Sequence, residues 1–369
     1  MTLQALSALA AKAAAWDALT ARAAAPPFFA RHVLEAHRAH GLCPADLAAV
    51  VVHDATGQLE ALVPIVQRPA VTALGGRVAR PWLSPYMTAS TPLVAAGPGL
   101  TARLDALVAG LAQAAGGRSW RWPLLPSESP VGAELLAALQ RAGWQIATVS
   151  TFARPVLDRR ASYAAFLAEH PHKGRFKDLR RRRRRLAEAG ALTLTSATTG
   201  ADLADAITEF LALEAAGWKG VAGTALGSHV HTAAFARTLF QPAPGPVTAR
   251  ADVLGLDGRA IASSLALVAG RTAYLLKTAY DETLRSCAPG LILEDEIVQA
   301  LHATAFADRL DAATLPGSAL ESLYPDRETI ADVLAVPPGR RLLPVTGRVR
   351  LAHLEQRARA ELRRRLGRR

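Results

Sequence analysis

The sequence predicts a mixed α/β (α+β) fold built from two similar halves. Strand-like apolar runs alternate with amphipathic stretches along all 369 residues, a length that allows two domains. One order of elements occurs twice, at residues 47–126 and 247–316: two strands flank a turn that contains aspartate, a helix follows, and a later strand ends at a Leu-Pro pair. We therefore expect two tandem copies of one unit, each with a mixed central sheet flanked by helices.

In the first half, the spacing of apolar residues predicts two helices before the first strand, over residues 3–25 and 29–40. The Pro26-Pro27 pair separates them, because proline cannot continue a helix. A hairpin follows at residues 47–66, around a turn that begins near Asp54. The remaining elements are a helix, a strand, a helix and a strand, at residues 100–115, 120–125, 131–142 and 144–152.

The second half begins with its most distinctive segments. These are two helices, a strand and an amphipathic helix, at residues 162–169, 173–189, 192–196 and 202–216. Three strands, a helix, a short strand and a basic C-terminal helix follow, at residues 247–256, 260–268, 272–278, 292–304, 309–314 and 350–366. We expect the domains to comprise residues 1–152 and 153–345, with residues 346–369 as a basic tail.

The net charge of +12 is concentrated in two places. The run from Lys173 to Arg185 holds nine basic groups opposed by Asp178, and the last 24 residues hold nine basic and two acidic groups. The rest of the chain is slightly acidic, so no stable DNA binding is expected. Only five of the 43 basic residues are lysines, which makes each lysine a candidate for a role that needs a compact ammonium group.

Several classes of protein are excluded by composition. The two cysteines, Cys43 and Cys287, cannot build a disulfide framework or a cysteine-rich zinc site. Two short histidine pairs lack further ligands at metal-binding spacing, so no metal is expected. No apolar run approaches the roughly 18 residues of a membrane span, and the N-terminus lacks the cationic region of a signal peptide. A cytoplasmic location is therefore expected.

The amphipathic helix of the second half places a carboxylate among apolar side chains. Leu203 and Phe210 lie on its apolar stripe, and the next position on that stripe is Glu214. A carboxylate on this face is desolvated, which favours the role of a general base. The alternative is a helix end at which Glu214 faces solvent or pairs with Lys219.

A second candidate region runs from the end of a strand into a helix. Lys277 and Tyr280 lie at the strand end, and the following loop enters the helix through Pro289-Gly290. The unpaired N–H groups and positive dipole end of a helix N-terminus can bind phosphate. The alternative is an ordinary loop before a helix that has acidic residues in its first turns.

Six consecutive arginines, Arg180 to Arg185, surround the helix of residues 173–189. One or two of them must therefore face something anionic. A tRNA or a membrane surface is a possible anionic partner for these arginines and for the basic C-terminal helix. The run lacks the interleaved aromatic residues that stack on bases, and a solvated charged face is the alternative.

Together these segments resemble a known family. The stretches Leu213-Glu-Ala-Ala-Gly-Trp-Lys-Gly and Leu276-Lys-Thr-Ala-Tyr-Asp281, and the Ala288-Pro-Gly290 helix entry, are similar to CelD/BcsL-type acyltransferases of the GNAT superfamily. The Lys173-Gly-Arg-Phe-Lys stretch resembles the start of the basic helix at the head of their second domain. These proteins are related to the Fem-type aminoacyl transferases. The resemblance spans the chain to about Pro344 and leaves out the basic tail.

The resemblance implies two tandem GNAT-like domains, the second of which binds acetyl-CoA or another acyl-CoA as co-substrate. The GNAT pyrophosphate loop has the form Gln/Arg-x-x-Gly-x-Gly/Ala, and residues 285–290 match it with Ala288 in place of the first glycine and with Pro289 lacking an N–H. The implied cofactor-binding residues are Arg285, Ser286, Cys287, Ala288, Pro289 and Gly290. The implied substrate-binding residues are Lys173, Arg175, Trp218 and Asp281.

An acyltransferase needs a base for the attacking amine or hydroxyl, donors for the oxyanion and an acid for the leaving thiolate. We assign Glu214 as the base, Lys219 or Lys277 as the electrostatic stabiliser, and Tyr280 as the acid. The expected acceptor is a small molecule or a glycan precursor of the cell envelope. Two alternatives stay open: a Fem-like aminoacyl or peptidyl transferase that uses aminoacyl-tRNA, and a non-catalytic module that binds an anionic partner through the arginine-rich helix.

Overall fold

The computed structural model describes residues 1–339 and 343–366, and it confirms the mixed α/β fold. The strands of the described residues are β1 (Thr2–Ala5), β2 (Ala48–His53), β3 (Leu59–Pro69), β4 (Arg77–Pro81), β5 (Leu93–Val94), β6 (Trp120–Pro126), β7 (Gln145–Asp158), β8 (Leu192–Ala197), β9 (Val247–Leu256), β10 (Arg259–Ala269), β11 (Thr272–Tyr280), β12 (Arg309–Asp311) and β13 (Asp326–Val336). The α-helices are α1 (Leu6–Ala10), α2 (Ala13–Arg22), α3 (Arg31–Ala39), α4 (Leu100–Ala115), α5 (Pro130–Arg141), α6 (Tyr163–Glu169), α7 (Lys173–Ala189), α8 (Gly200–Ala216), α9 (Trp218–Val221), α10 (Val230–Phe240), α11 (Pro289–Thr304) and α12 (Val345–Leu366).

Contacts within the chain divide it into two compact units. Unit 1 comprises Met1–Phe29, Pro44–Phe152 and Thr329–Arg369, and unit 2 comprises Ala30–Cys43 and Ala153–Glu328. The helix α3 thus belongs to unit 2, and α12 belongs to unit 1. The assignment of residues 1–152, 153–345 and 346–369 as two tandem copies and a tail stays a prediction.

Unit 1 contains a sheet in the order β1-β2-β3-β4-β6-β13, with β5 paired to β3. Its described pairs are antiparallel except that of β4 with β6. The helix α4 packs on β2 and β3, and α5 packs on α4. The core includes the fully buried Trp16, Trp120 and Trp122, and the last two rings stack with centroids 5.7 Å apart. A few large aromatic rings therefore anchor a core that is otherwise rich in alanine, leucine and valine.

Unit 2 contains a sheet in the order β12-β11-β10-β9-β8, and residues 156–158 of β7 pair with β12. The strands β11 and β12 are parallel, whereas the other pairs are antiparallel. The helix α11 packs on β9, β10 and β11 and shares an apolar core with α6 and α7 through Phe166, Phe176 and Leu301. The helix α8 also packs on these three strands and contacts α10, which in turn contacts α3.

The predicted helix over residues 3–25 is wrong at its start. Thr2–Ala5 forms the strand β1, which pairs antiparallel with residues 48–51 of β2. Pairing with a distant segment overrides the helical spacing of the apolar residues, because local propensity is a weak determinant against tertiary contacts. The rest of the predicted helix is divided at Ala11 and Lys12 into α1 and α2.

The C-terminal helix begins earlier than predicted, at Val345, and it is tied to unit 1. Ala352 is buried in a small apolar cluster with Val149 and Leu334, and the ring of His353 lies 2.7 Å from the carbonyl oxygen of Val149. Residues 367–369 of the predicted tail lie outside the described residues. Among the helices that the structure describes, none combines the length and the apolar character needed to cross a membrane.

Candidate active site

A cavity of about 600 Å³ in unit 2 opens where two parallel strands part. β12 pairs with β11 only over Thr272 to Tyr274 and ends at Asp311, whereas β11 continues to Tyr280. Residues 275–278 line one side of the gap, and residues 312–314 line the other. The first turns of α11 and residues 318–320 form further parts of the wall. The edge of β11 beyond Tyr274 therefore faces a cavity instead of a described strand, as a binding site for an extended ligand requires.

The loop that enters α11 is shaped by an alanine in a left-handed conformation. Ala288 has φ 53° and ψ 55°, a conformation that costs a non-glycine residue about 1–3 kcal/mol. Pro289 follows at the first helical position, where its fixed φ fits. Gly290 allows the Tyr280 ring to approach, since a Cβ at this position would lie 3.3 Å from Cδ1 of the ring. Ala288 thus takes a backbone conformation that glycine adopts without steric cost.

Glu294 lies on the second turn of α11 and forms part of the cavity wall, where it is 1% exposed. Its Oε1 accepts a hydrogen bond from Thr278 Oγ1 at 3.1 Å, and its Oε2 accepts one from the Tyr324 hydroxyl at 3.2 Å. Burial raises the pKa of Glu294 to about 7; the two hydrogen bonds oppose this rise, and the negative charge of Asp252 adds to it. A carboxylate with this pKa at a cavity wall can take up a proton near neutral pH.

Glu214 and Lys219 form an ion pair beside the cavity. The Glu214 side chain is 1% exposed, and its Oε1 accepts from Lys219 Nζ at 3.0 Å while its Oε2 accepts from the Leu226 N–H at 2.8 Å. Lys219 Nζ also donates to the Thr278 carbonyl at 3.2 Å. Both carboxylate oxygens are therefore engaged, and the pair ties the end of α8 to β11. This is the pairing alternative that the sequence leaves open.

Three further polar side chains face the cavity from its other parts. Lys277 lies on β11, and burial lowers its pKa; the carboxylate of Glu214 opposes this effect, and the ammonium of Lys219 adds to it. Tyr280 ends the same strand and is 36% exposed. Arg285 belongs to the short helix Glu282–Cys287 before α11. The cationic side chains of Lys277 and Arg285 in the cavity wall can attract an anionic ligand.

The structure brings about half of the predicted site residues together. Those that line the cavity are Trp218, Lys219, Lys277, Tyr280, Arg285, Ala288 and Gly290. Those that lie outside its described wall are Glu214, Ser286, Cys287, Pro289, Lys173, Arg175 and Asp281. Asp281 instead caps the Glu282–Cys287 helix through the Thr283 N–H at 2.9 Å and pairs with Arg259 at 2.9 Å. Its carboxylate is thereby engaged within the protein.

Three arginines of the six-residue run are paired within unit 2. Arg181 pairs with Asp178 at 2.5 Å. Arg182 donates to the Ser286 carbonyl and, at 2.7 Å, to Asp178. Arg183 pairs with Glu296 of α11 at 2.5 Å. These contacts supply the anionic groups that the run requires, and they fix the loop before α11. The exposed members of the run are Arg180, Arg181, Arg183, Arg184 and Arg185, of which Arg181 and Arg183 are ion-paired.

Glu294 is not among the predicted site residues, although its position in the sequence indicates that it is buried. Glu294 lies at helical spacing from Gly290, Val298 and Leu301, all of which are buried. Glu294 therefore lies on a buried helical stripe in the same way as Glu214. Tyr324 gave no such signal, because it lies in an irregular segment before β13 and reaches Glu294 only through the fold.

Comparison with known proteins gives the class of the domain that holds this site. Residues 173–314 match the family model of the acetyltransferase (GNAT) domain, so the chain contains a GNAT-type acetyltransferase domain, and the cavity lies mostly within it. No curated protein matches the sequence.

Solved structures share the fold over most of the chain. The C-terminal domain (DUF2156) of a protein from Agrobacterium fabrum, assigned as a lysylphosphatidylglycerol synthetase, is 17% identical, with 89% of this chain and 92% of that chain covered and a TM-score of 0.55. A protein of unknown function from Bacteroides thetaiotaomicron is 16% identical, with 89% and 97% covered and a TM-score of 0.54. FemX is 10% identical, with 88% and 96% covered and a TM-score of 0.54. Structural similarity at these low sequence identities shows only that the fold is shared.

Proposed function

We propose that the protein is an acyl-CoA-dependent N- or O-acyltransferase of the CelD/BcsL type. Its donor is acetyl-CoA or another acyl-CoA, and its acceptor is a small molecule or a glycan precursor of the cell envelope. The observation that carries the proposal is Glu294, a carboxylate with a pKa near 7 in the wall of the cavity between β11 and residues 312–314 of the GNAT-type domain. Both cysteines are free thiols, which suits the reducing cytoplasm, and we propose that location.

The chemistry assigned to this chain is direct transfer. The carboxylate of Glu294 takes the proton from the attacking amine or hydroxyl, which then attacks the acyl carbonyl of the donor. The ammonium of Lys277 stabilises the negative charge that develops on the carbonyl oxygen. The Tyr280 hydroxyl gives a proton to the leaving thiolate. Glu214 is a positioning residue in this scheme, since it holds Lys219 against β11.

The residues around the cavity suit a donor of the acyl-CoA kind. The edge of β11 beyond Tyr274 offers backbone hydrogen-bonding groups to the amides of an extended pantetheine arm. Arg285 lies at the α11 end of the cavity and provides a cation for phosphate. Pro289 supplies no N–H to the loop, so Arg285 carries more of the phosphate recognition here than in a loop with two glycines.

A thermal-shift series tests the donor class directly. A ligand that binds only the folded protein at about 100 times its Kd stabilises it by about 2.7 kcal/mol, which raises the melting temperature by several degrees. We expect this rise with acetyl-CoA or with a longer acyl-CoA, and a loss of the rise in Arg285→Ala. A rise with tRNA and none with any CoA would instead support an aminoacyl-tRNA donor.

Turnover is expected to depend on pH through Glu294. A general base acts as the carboxylate, and the pKa of Glu294 is raised to about 7. Activity should therefore fall about tenfold per pH unit below 7, whereas an ordinary glutamate would keep it down to about pH 4.5. The profile of kcat/KM between pH 5 and 8 measures this. A flat profile over that range would remove Glu294 from the reaction.

A Fem-like aminoacyl transferase is the second candidate, and a specific observation favours it. The face of α7 that carries Arg180, Arg181, Arg184 and Arg185, all of them exposed, is a cationic surface suited to a tRNA or to an anionic membrane surface. The fold likeness to FemX is compatible with this reading. The same thermal-shift series separates the two candidates, because only the second predicts stabilisation by tRNA at low salt that is lost at high salt.

A further inference from the structure

A row of four polar side chains crosses the sheet of unit 2 and ends at Glu294. Ser196 of β8 pairs in register with Asp252 of β9, Asp252 pairs with Ser264 of β10, and Ser264 pairs with Thr278 of β11. Residues that are opposite each other on neighbouring strands lie on the same face of a sheet. Thr278 donates to Glu294, so this is the face that α11 covers.

The two ends of the row are already hydrogen-bonded. At the inner end, Thr278 Oγ1 lies 3.1 Å from Glu294 Oε1. At the outer end, Ser196 Oγ donates to Asp252 Oδ1 at 2.5 Å. Ser196 is exposed on β8, the last strand of the sheet order, whereas Asp252 is only 2% exposed. The row therefore reaches from solvent to a buried carboxylate at the cavity.

Ser264 lies at the centre of the row and is 1% exposed. Its hydroxyl oxygen has no hydrogen-bond partner within the described part of the chain. Cross-strand Cβ atoms lie about 4.5–5.5 Å apart, so rotation about χ1 can bring the hydroxyl toward Thr278 on one side or Asp252 on the other. A buried hydroxyl without a partner costs about 1–3 kcal/mol of stability. The presence of a serine at this position therefore needs an explanation other than packing.

We propose that this row is a proton exit for Glu294, a role that rests on the proposed function. The base gains one proton in each turnover, and bound donor and acceptor fill the cavity through which that proton would otherwise leave. Glu294 gives the proton to the Thr278 oxygen while the Thr278 hydroxyl proton passes to Ser264. The Ser264 proton passes to Asp252, Asp252 gives a proton to the Ser196 oxygen, and the Ser196 hydroxyl proton leaves to water. Glu294 is again a carboxylate, and no other bond changes.

The charged and titratable groups around Glu294 suit a proton exit through the row. Asp252 faces it from β9 and is held by Arg250, whose Nε and Nη2 donate to the two carboxylate oxygens at 2.8 and 2.6 Å. Tyr324 faces Glu294 from the segment before β13, and Lys277 faces the same cavity from β11. On α11 itself, the nearest titratable groups are Asp295 and Glu296. Asp252 is thus the anionic group that raises the affinity of Glu294 for a proton across the row.

Ser264→Ala and Asp252→Asn test the row, and Ser263→Ala is the matched control. Ser263 is equally buried and also lacks a partner in the described structure, but it points to the other face of β10. We expect Ser264→Ala to lower kcat about tenfold or more and to raise the solvent deuterium isotope effect, with KM for the donor unchanged. Ser263→Ala should leave all three quantities at their wild-type values.

A titration of Glu294 by carboxyl ¹³C NMR gives a readout that does not need turnover. Asp252→Asn should lower the pKa of Glu294, since it removes a negative charge from the row, and Ser264→Ala should shift the same titration while Ser263→Ala does not. Melting temperatures identify any variant that fails to fold. If both row variants match Ser263→Ala in turnover and in titration, the row has no such role and the proposed function stands. If no acyl-CoA supports wild-type turnover, the proposed function fails, and the titration alone decides whether the row is coupled to Glu294.

Discussion

Replacing Glu294 by glutamine is expected to lower kcat by about 100- to 10,000-fold, the usual contribution of a general base. The amide keeps the shape of the side chain and still lies within hydrogen-bonding reach of Thr278 and Tyr324, both of which donate to the carboxylate. It cannot accept the proton of the attacking group. Because the change also removes a desolvated ionisable group, the free energy of unfolding should stay the same or increase.

Two glutamate variants provide the comparison for Glu294→Gln. Glu296→Gln removes a carboxylate two residues away that pairs with Arg183, and it should leave kcat within a factor of about two or three. Glu214→Gln weakens the pair with Lys219 and should reduce stability more than it reduces kcat. Steady-state kinetics with the donor found by thermal shift, together with melting curves, measure these effects. Full activity in Glu294→Gln, or a larger loss of kcat in Glu214→Gln, would return the role of base to Glu214.

The elements that could be predicted closely from the sequence are those whose ends are marked locally. The helix α7 has the predicted bounds, because Gly190 follows it and apolar residues recur at helical spacing. The three strands β9, β10 and β11 are separated by the tight turns at Asp257-Gly258 and Gly270-Arg271. By contrast, β1 is a strand because it pairs with β2, and no local feature of Thr2–Ala5 encodes that pairing.

The candidate site was predictable to a lesser degree. Periodicity shows which carboxylates are buried, and both Glu214 and Glu294 satisfy it. It cannot show their partners, since these come from other elements: an ammonium and a backbone N–H for Glu214, and two hydroxyls for Glu294. The scarcity of lysine predicted only part of the site. Lys219 and Lys277 line the cavity, whereas Lys173 and Lys177 are exposed on α7.

Asp311→Asn is expected to lower the free energy of unfolding by about 3 kcal/mol. Asp311 ends β12 and faces Arg154, with Oδ2 and Nη1 3.6 Å apart and both side chains at most 4% exposed. Removing one charge of a buried pair typically costs about 3–5 kcal/mol, a large share of the about 5–15 kcal/mol that stabilises a domain. We expect a cost at the lower end of this range of about 3–5 kcal/mol, because Glu328 also interacts with the Arg154 charge. Urea denaturation followed by circular dichroism measures the loss.

Asp308, three residues before Asp311 in the chain, is the matched control, because it pairs with Arg271 and Arg159 near the surface. The side chains of Asp308, Arg271 and Arg159 are 48%, 63% and 29% exposed, and a surface pair contributes about 0–1 kcal/mol. Asp308→Asn should therefore change the urea midpoint little. Asp311 also accepts from the Ala313 N–H at 2.7 Å, and Ala313 belongs to the cavity wall, so Asp311→Asn should weaken donor binding as well. Equal, small effects of the two substitutions would mean that solvent or another group compensates the Arg154 charge and that the wall is held without this carboxylate.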